Sequence, residues 1–168
     1  MATVHKGRFT AEIEGEFVIF IIGVRVNKLL AIHKWLPIFR AMEKMIKELY
    51  DNEDLGFLGT EYFLQWRGAT LLQYWRSYEQ LEKYAREGIH LEAWKKFNQS
   101  IGTDGSVGIY HETYIVQPQN YECIYGNMPK FGLGKVSNHV PAVGRRETSR
   151  RRLGGDNNPA VKTPENPK

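Results

Sequence analysis

Nine consecutive residues, Gly108-Ile109-Tyr110-His111-Glu112-Thr113-Tyr114-Ile115-Val116, place an imidazole, a carboxylate and two phenols within five positions. The stretch alternates as a β-strand does, and a strand needs β-branched and aromatic side chains, not ionisable ones. Burying an ionisable group without a partner costs free energy, so these residues either satisfy one another or serve a site. Alternation sends His111 and Glu112 to opposite faces. His111 travels with Ile109, Thr113 and Ile115, and Glu112 with Tyr110 and Tyr114. Only one face can line a cavity between sheet and helices, and the other is expected at a subunit interface.

A second imidazole, His90, precedes Trp94 by one helical turn and lies near Phe97. An imidazole titrates near neutrality and can take a proton from a phenol, an enol or a carbon acid. The chemistry expected of this set is proton transfer by His111 and His90, with Glu112 or Tyr114 as orienting hydrogen-bond partners. The competing expectation is that these are satisfied structural polar groups, as most buried histidines are. Trp75, Trp94, Phe97 and Tyr62 are candidates for the wall of a pocket for a flat apolar or aromatic ligand, unless they are core and interface packing.

The elements that must position these groups follow from periodicity. Phe17–Val26 is a nearly continuous β-branched and aromatic run, as in a strand buried on both faces. Trp35, Ile38, Phe39, Met42, Met45, Ile46 and Leu49 recur at helical spacing, with Pro37 expected in the first turn. Strands near Gly56–Trp66 and Ala69–Arg76 flank a tight break at Arg67-Gly68. On the second strand Ala69, Leu71, Gln73 and Trp75 share a face. Ser77-Tyr78-Glu79-Gln80 has the capping-box pattern that opens a helix. Gly88 interrupts that helix, and Leu91, Trp94, Phe97 and Ile101 resume it. After the strand at 108–116, Tyr121–Tyr125 is expected as a short additional strand, stopped by Gly126-Asn127-Met128-Pro129. The order β-α-β-β-α-β defines an α+β, ferredoxin-like arrangement. Its sheet is covered by helices on one face only, which calls for a homodimer to cover the other.

Size and composition bound the rest. The chain has 168 residues, 42% hydrophobic and 12% aromatic, enough for one domain with a real core. The expected organisation is a polar arm over 1–15, the ferredoxin-like domain over 16–135 and a flexible basic tail over 136–168. The formal charge of +4 is exceeded by Arg145, Arg146, Arg150, Arg151 and Arg152 alone. The remainder is near neutral, which argues against nucleic acid as a partner. A lone cysteine, Cys123, suits a reducing cytoplasm, and no signal peptide or membrane span is expected. No pair of ligands stands at metal-binding spacing, Gly132-Leu133-Gly134 follows no phosphate-binding unit, and no nucleophile elbow is present.

Two longer stretches carry a resemblance. The run Tyr74-Trp75-Arg76-Ser77-Tyr78-Glu79-Gln80-Leu81-Glu82, leading into Ile89-His90-Leu91-Glu92-Ala93-Trp94-Lys95-Lys96-Phe97, resembles the dimeric α/β-barrel superfamily of antibiotic-biosynthesis monooxygenases. His111-Glu112-Thr113-Tyr114, with Tyr121–Pro129 and Phe131-Gly132-Leu133-Gly134, is similar to a monooxygenase-like branch of it. The resemblance spans about residues 15–135 and implies a dimeric α/β barrel. It also implies a small monooxygenase for an apolar organic substrate, with His as general base and no cofactor. Haem is the implied alternative, because the superfamily includes haem-degrading and haem dehydratase members. In the former a histidine late in the second helix ligates iron, and Ala85 stands near that place here, so His90 or His111 would have to be the axial ligand. A non-enzymatic ligand-binding protein is the third expectation, since fold does not fix function.

Overall fold

The computed structural model describes residues 2–101 and 103–156. Its elements are strands β1 (His5–Glu12), β2 (Phe17–Val26), β3 (Phe57–Gln65), β4 (Gly68–Trp75), β5 (Val107–Val116), β6 (Tyr125–Met128) and β7 (Asn138–Pro141). The helices are α1 (Ile32–Asp51), α2 (Tyr78–Arg86), α3 (Gly88–Ile101), α4 (Leu133–Val136) and α5 (Ser149–Arg152). Two compact units divide the chain, one from Val18 to Tyr114 and one from the segments on either side.

The central unit has a four-stranded sheet in the order β3-β4-β2-β5 with α1, α2 and α3. In chain order its strands and helices run β-α-β-β-α-α-β, the second helix of the ferredoxin-like pattern being divided into α2 and α3, and the strand order is that of the ferredoxin-like fold. The apolar run of β2 pairs antiparallel with β4 from Val18↔Trp75 to Arg25↔Gly68. Val18, Leu71, Trp75 and Phe57 face Ile46 and Leu49 of α1 and Leu81 and Tyr84 of α2. Trp75 is 0% exposed, its ring 5.4 Å from that of Phe57 and 5.6 Å from that of Tyr84. Farther along the sheet, Val24 and Val107 pack with Ile38 and Phe97.

Local chemistry fixes the boundaries. Ser77 Oγ accepts the backbone N–H of Gln80 at 3.2 Å and opens α2 as the capping pattern requires. The β3–β4 turn is Trp66-Arg67, one residue earlier than expected, because Gln65 pairs with Gly68. Helix α1 starts a turn earlier than its apolar stripe, so Pro37 sits in the second turn. There its missing N–H leaves the carbonyl of the exposed His33 to water. A register shift between Phe57 and Gly59 puts Leu58 out of phase with Tyr62 and Leu64.

The flanking unit is a three-stranded sheet in the order β6-β1-β7. Where the sequence reads as a polar arm over 1–15, β1 pairs antiparallel with both neighbours. Where it reads as a flexible tail from 136, β7, a short turn of 3₁₀ helix and α5 follow. The reason is long-range. Arg146 makes two bonds to the Glu12 carboxylate, at 2.5 and 2.9 Å. Arg152 makes two to Glu122, at 2.9 and 2.6 Å. The part of the expected tail over 157–168 lies outside the described residues, as does Gly102 of the expected turn after α3.

The extra strand also differs. Residues 121–124 are irregular, and the expected stop, Gly126-Asn127-Met128, forms most of β6. Asn127 adopts a left-handed φ of 52° and its Oδ1 accepts the N–H of Gly7 (φ 94°) at 2.9 Å. A kinked pair of strands therefore forms where regular alternation is missing.

Candidate active site

Strand β5 is an edge of the four-stranded sheet and is exposed along most of its length. Its two faces are distinguished by contacts. Val107 packs with α1 and α3 residues, and the His111 ring lies 5.7 Å from that of Phe20, which itself packs on the Trp75 cluster. The face with His111 is thus the helix-covered one. Tyr110 belongs to the other: its hydroxyl is 2.5 Å from Thr70 Oγ1, and its ring occupies the space a Cβ at Gly23 would need. Glu112 and Tyr114 share that second face, where the Tyr114 hydroxyl donates to Glu112 at 2.5 Å. The Glu112 carboxylate accepting that bond raises the Tyr114 phenol above its ordinary pKa. His111 and the Glu112–Tyr114 pair are therefore not brought together.

On the helix-covered face a polar row crosses the sheet: His111 beside Phe20, Phe20 paired with Gln73, and Gln73 paired with Thr60. Gln73 is only 6% exposed. Trp75 Nε1–H donates to it at 3.0 Å, which fixes that atom as Oε1 and makes the –NH₂ the donor end of the amide. Thr60 is buried and its hydroxyl donates to the carbonyl of Leu72 at 3.2 Å.

His90 stands at the start of α3, half-buried. Its Nδ1 is 2.9 Å from the carbonyl of Ala85. A carbonyl only accepts, so Nδ1 carries a proton and donates, and any role as base or ligand falls to Nε2. The ring lies 5.5 Å from that of Tyr84, whose hydroxyl donates to Glu48 Oε2 at 3.0 Å. Burial, and then the bond to the Glu48 carboxylate, hold the Tyr84 phenol far above its ordinary range, so it stays protonated. His90 reaches the Trp75 cluster through Tyr84, and His111 reaches it through Phe20.

The expected pocket walls separate. Trp75 is core and Phe97 packs beside Val24 and Ile38. Trp94 and Tyr62 are exposed, and Tyr62 has its phenol pKa raised by partial burial and by Tyr50 and Glu43. Sequence reading did not single out Gln73, Thr60, Tyr84 or Glu48. Gln73 was detectable in principle, as the one amide on a strand face otherwise made of Ala69, Leu71 and Trp75. Among the described residues no group of three His, Cys, Asp or Glu is arranged to hold a metal ion, and no helix is long and apolar enough to cross a membrane.

A ferredoxin-like sheet with imidazoles bordering a helix-covered aromatic core defines an α+β fold of the kind that serves small-molecule chemistry in many families. The family model for monooxygenase af470-like proteins matches residues 17–133, and the chain belongs to that family. It is 32% identical over 160 residues to monooxygenase af470 of Aspergillus fumigatus, with 80% of this chain aligned to 56% of that protein. The chain thus spans little more than half the length of this relative. Among solved structures it is similar in fold to an aldoxime dehydratase complexed with butyraldoxime, with a TM-score of 0.65 at 17% identity. That match covers 79% of this chain and 40% of the other. A second aldoxime dehydratase structure gives a TM-score of 0.63 at 19% identity over 84% of this chain and 45% of the other.

Proposed function

We propose that the protein is a small monooxygenase that oxidises an apolar organic carbon acid or phenol held between the sheet and the helices. The observation that carries this reading is His90, whose Nδ1–H is committed to the Ala85 carbonyl so that Nε2 stands as a base. Proton removal by a histidine gives a carbanion or phenolate, with His111 as the second candidate for this role. The Gln73 amide is a donor suited to the oxygen on which negative charge accumulates, because its carbonyl end is held by Trp75. An electron-rich carbanion reduces dioxygen directly and joins it to give a peroxide, which takes back the proton. Loss of water from the peroxide then converts a CH₂ to a C=O, so no external reductant is needed and no cofactor is required.

Oxygen uptake with anthrone, a flat carbon acid, as probe tests the reading. His90→Gln is expected to lower kcat by about 10²-fold or more with little change in melting temperature. His111→Gln distinguishes a second base from a bystander. Full activity in both variants would remove the histidine mechanism, and a loss of stability alone would favour a non-enzymatic ligand-binding protein.

A second reading has the same histidine as its support. With Nδ1 anchored on a backbone carbonyl, Nε2 of His90 would be the atom left to hold a haem iron, and the Ala85 side chain has no ligating atom. Haem would supply dehydration or oxygen chemistry. Titration of the protein with haem, followed by the Soret band in wild type, His90→Ala and His111→Ala, separates this reading from the first. A homodimer and a cytoplasmic location accompany either reading. The dimer is supported by the second sheet face, where Ile19, Ile21 and Leu72 lie beside the exposed Phe63 and Tyr110.

A further inference from the structure

One end of the four-stranded unit collects side chains that folding alone would not leave in water. Trp66, at the tip of the β3–β4 turn, is 91% exposed, and Leu64 just before it is 89% exposed. Leu30, in the connection from β2 to α1, is 94% exposed, with Leu29 and Ile32 about half exposed beside it. Single exposed apolar residues are ordinary, but these lie on or beside two connections that are bonded together. The Val26 N–H donates to the carbonyl of Arg67 at 2.7 Å, and the Arg67 guanidinium donates to the carbonyl of Asn27 at 3.1 Å. The same connection is tied to the turn before β5, where Asn27 and Lys28 N–H groups both donate to the carbonyl of Ser106. Trp35 Nε1–H donates to the Leu29 carbonyl at 3.0 Å, so the Leu29-Leu30 segment is held in place and not merely extended.

Cations are interleaved with these apolar tips. Arg25, Lys28 and Arg67 flank them, and Lys34 lies one turn into the base of α1. The acid bonded in this cluster is Asp104, which takes Lys34 at 2.8 Å and lies 4.0 Å from Lys28. Once Asp104 and Lys34 neutralise each other, Arg25, Lys28 and Arg67 remain as excess positive charge. An exposed tryptophan and leucines rimmed by Lys and Arg are the composition that settles at the headgroup level of an anionic bilayer. A second copy of the chain is a poorer occupant, since a two-fold interface would set these cations against their own images.

We propose that the β3–β4 turn and the β2–α1 connection form a peripheral membrane-docking surface, in which Trp66, Leu64 and Leu30 enter the interface of an anionic bilayer and Arg25, Lys28 and Arg67 meet its headgroups. The surface is independent of the histidine chemistry proposed above, and neither stands on the other.

Co-sedimentation of the full chain with vesicles tests it. Phosphatidylcholine vesicles are compared with phosphatidylcholine–phosphatidylserine vesicles, for wild type, Trp66→Ser/Leu30→Ser and Arg25→Gln/Lys28→Gln. The wild type is expected to partition on the order of a hundredfold more strongly onto the anionic vesicles. The apolar double variant is expected to lose about tenfold or more of that binding, and the charge variant to lose most of the preference for phosphatidylserine. Both double variants alter exposed side chains, and thermal melting beside wild type verifies that they fold. Wild-type protein that stays in the supernatant with both vesicles overturns the proposal, and so does an apolar double variant that binds as wild type does. Light scattering supplies the remaining outcome: an oligomer that Trp66→Ser/Leu30→Ser dissolves, without vesicle binding by wild type, assigns the patch to a second copy and also overturns it.

Discussion

The two sheets of this protein are held by different physics. The four-stranded sheet is fixed by apolar burial: Trp75, Val18, Leu71 and Phe57 pack directly against Ile46, Leu49, Leu81 and Tyr84. The three-stranded sheet buries smaller side chains, Ala11 and Ala142 with Tyr125 and Leu133, and is also tied by polar contacts between residues more than a hundred positions apart. Thr10 Oγ1–H donates to the carbonyl of Cys123 at 2.7 Å, and the Ala11 N–H points to Cys123 Sγ at 3.3 Å. The Ile13 N–H donates to the Tyr121 hydroxyl at 3.1 Å, and Glu12 holds Arg146 in two bonds. A hydrophobic interface tolerates salt and acid, whereas a sheet closed by ion pairs and a stacked imidazole is sensitive to both.

The largest expected effect lies in the first sheet. Trp75→Ala removes the best-buried ring of the core and strands the Gln73 carbonyl, and should cost about 3–5 kcal/mol in a denaturant titration. A cost below about 1 kcal/mol would mean that this sheet does not rest on its aromatic core.

In the unit that holds the second sheet the key residue is Arg152 of α5, largely buried, which also donates to the carbonyls of Arg146 and Glu147 at 2.8 and 3.2 Å. Arg152→Met leaves three acceptors without a donor and should cost about 1–3 kcal/mol. Arg146→Met, across a pair of half-exposed side chains, should cost about 0–1 kcal/mol and become silent at high salt. Equal losses for the two would show that burial is not what separates them.

Acid should sharpen the contrast further. His139 stacks on Phe9 with ring centres 4.6 Å apart, and among the described residues its buried Nε2 has no hydrogen-bond partner. Burial first, then the nearby charges of His5 and Lys130, depress its pKa below the ordinary 6.5. The unfolded chain binds a proton at 6.5 that the folded sheet refuses, so stability falls as pH drops below 6.5 toward the lower folded value. Glu12 is also depressed, from 4.5, chiefly by its bonds to Arg146, and its contribution is lost as pH falls below 4.5. Urea midpoints measured across this range should fall in two stages, and His139→Phe should erase the upper one. An unchanged upper stage in that variant would assign the titration elsewhere.

The same contrast decides what could be read from the sequence. Residues such as Leu71, Trp75, Ile46 and Leu49 announce themselves by period, and Ser77 by its capping pattern, because the forces on them are local or repeat along one element. The ferredoxin-like order was legible for that reason. Nothing local marks Arg152 as the partner of Glu122, or Thr10 as the partner of Cys123, so a run of arginines read as a solvated tail. The kink at Gly7 and Asn127 concealed β6 in the same way, since left-handed backbone has no hydrophobic signature. At the candidate site, alternation separated His111 from Glu112, and the contact of His111 with Phe20 says which of them faces the helices. The tautomer of His90 depends on the position of the Ala85 carbonyl, which no residue pattern encodes.

The smallest expected effect concerns the two faces of β5. Glu112 and Tyr114 are exposed, bonded to each other, and lie on the face opposite His111. Tyr114→Phe removes one exposed hydrogen bond and should change stability by less than about 0.5 kcal/mol. Glu112→Gln removes the carboxylate that keeps the Tyr114 phenol protonated, so a spectrophotometric titration should show that phenol returning toward its ordinary value. If the reaction runs on the helix-covered face, neither substitution alters the rate of oxygen uptake with anthrone. A fall in kcat with the fold intact would move the chemistry across the strand, to the face where Tyr110 reaches over Gly23 to Thr70.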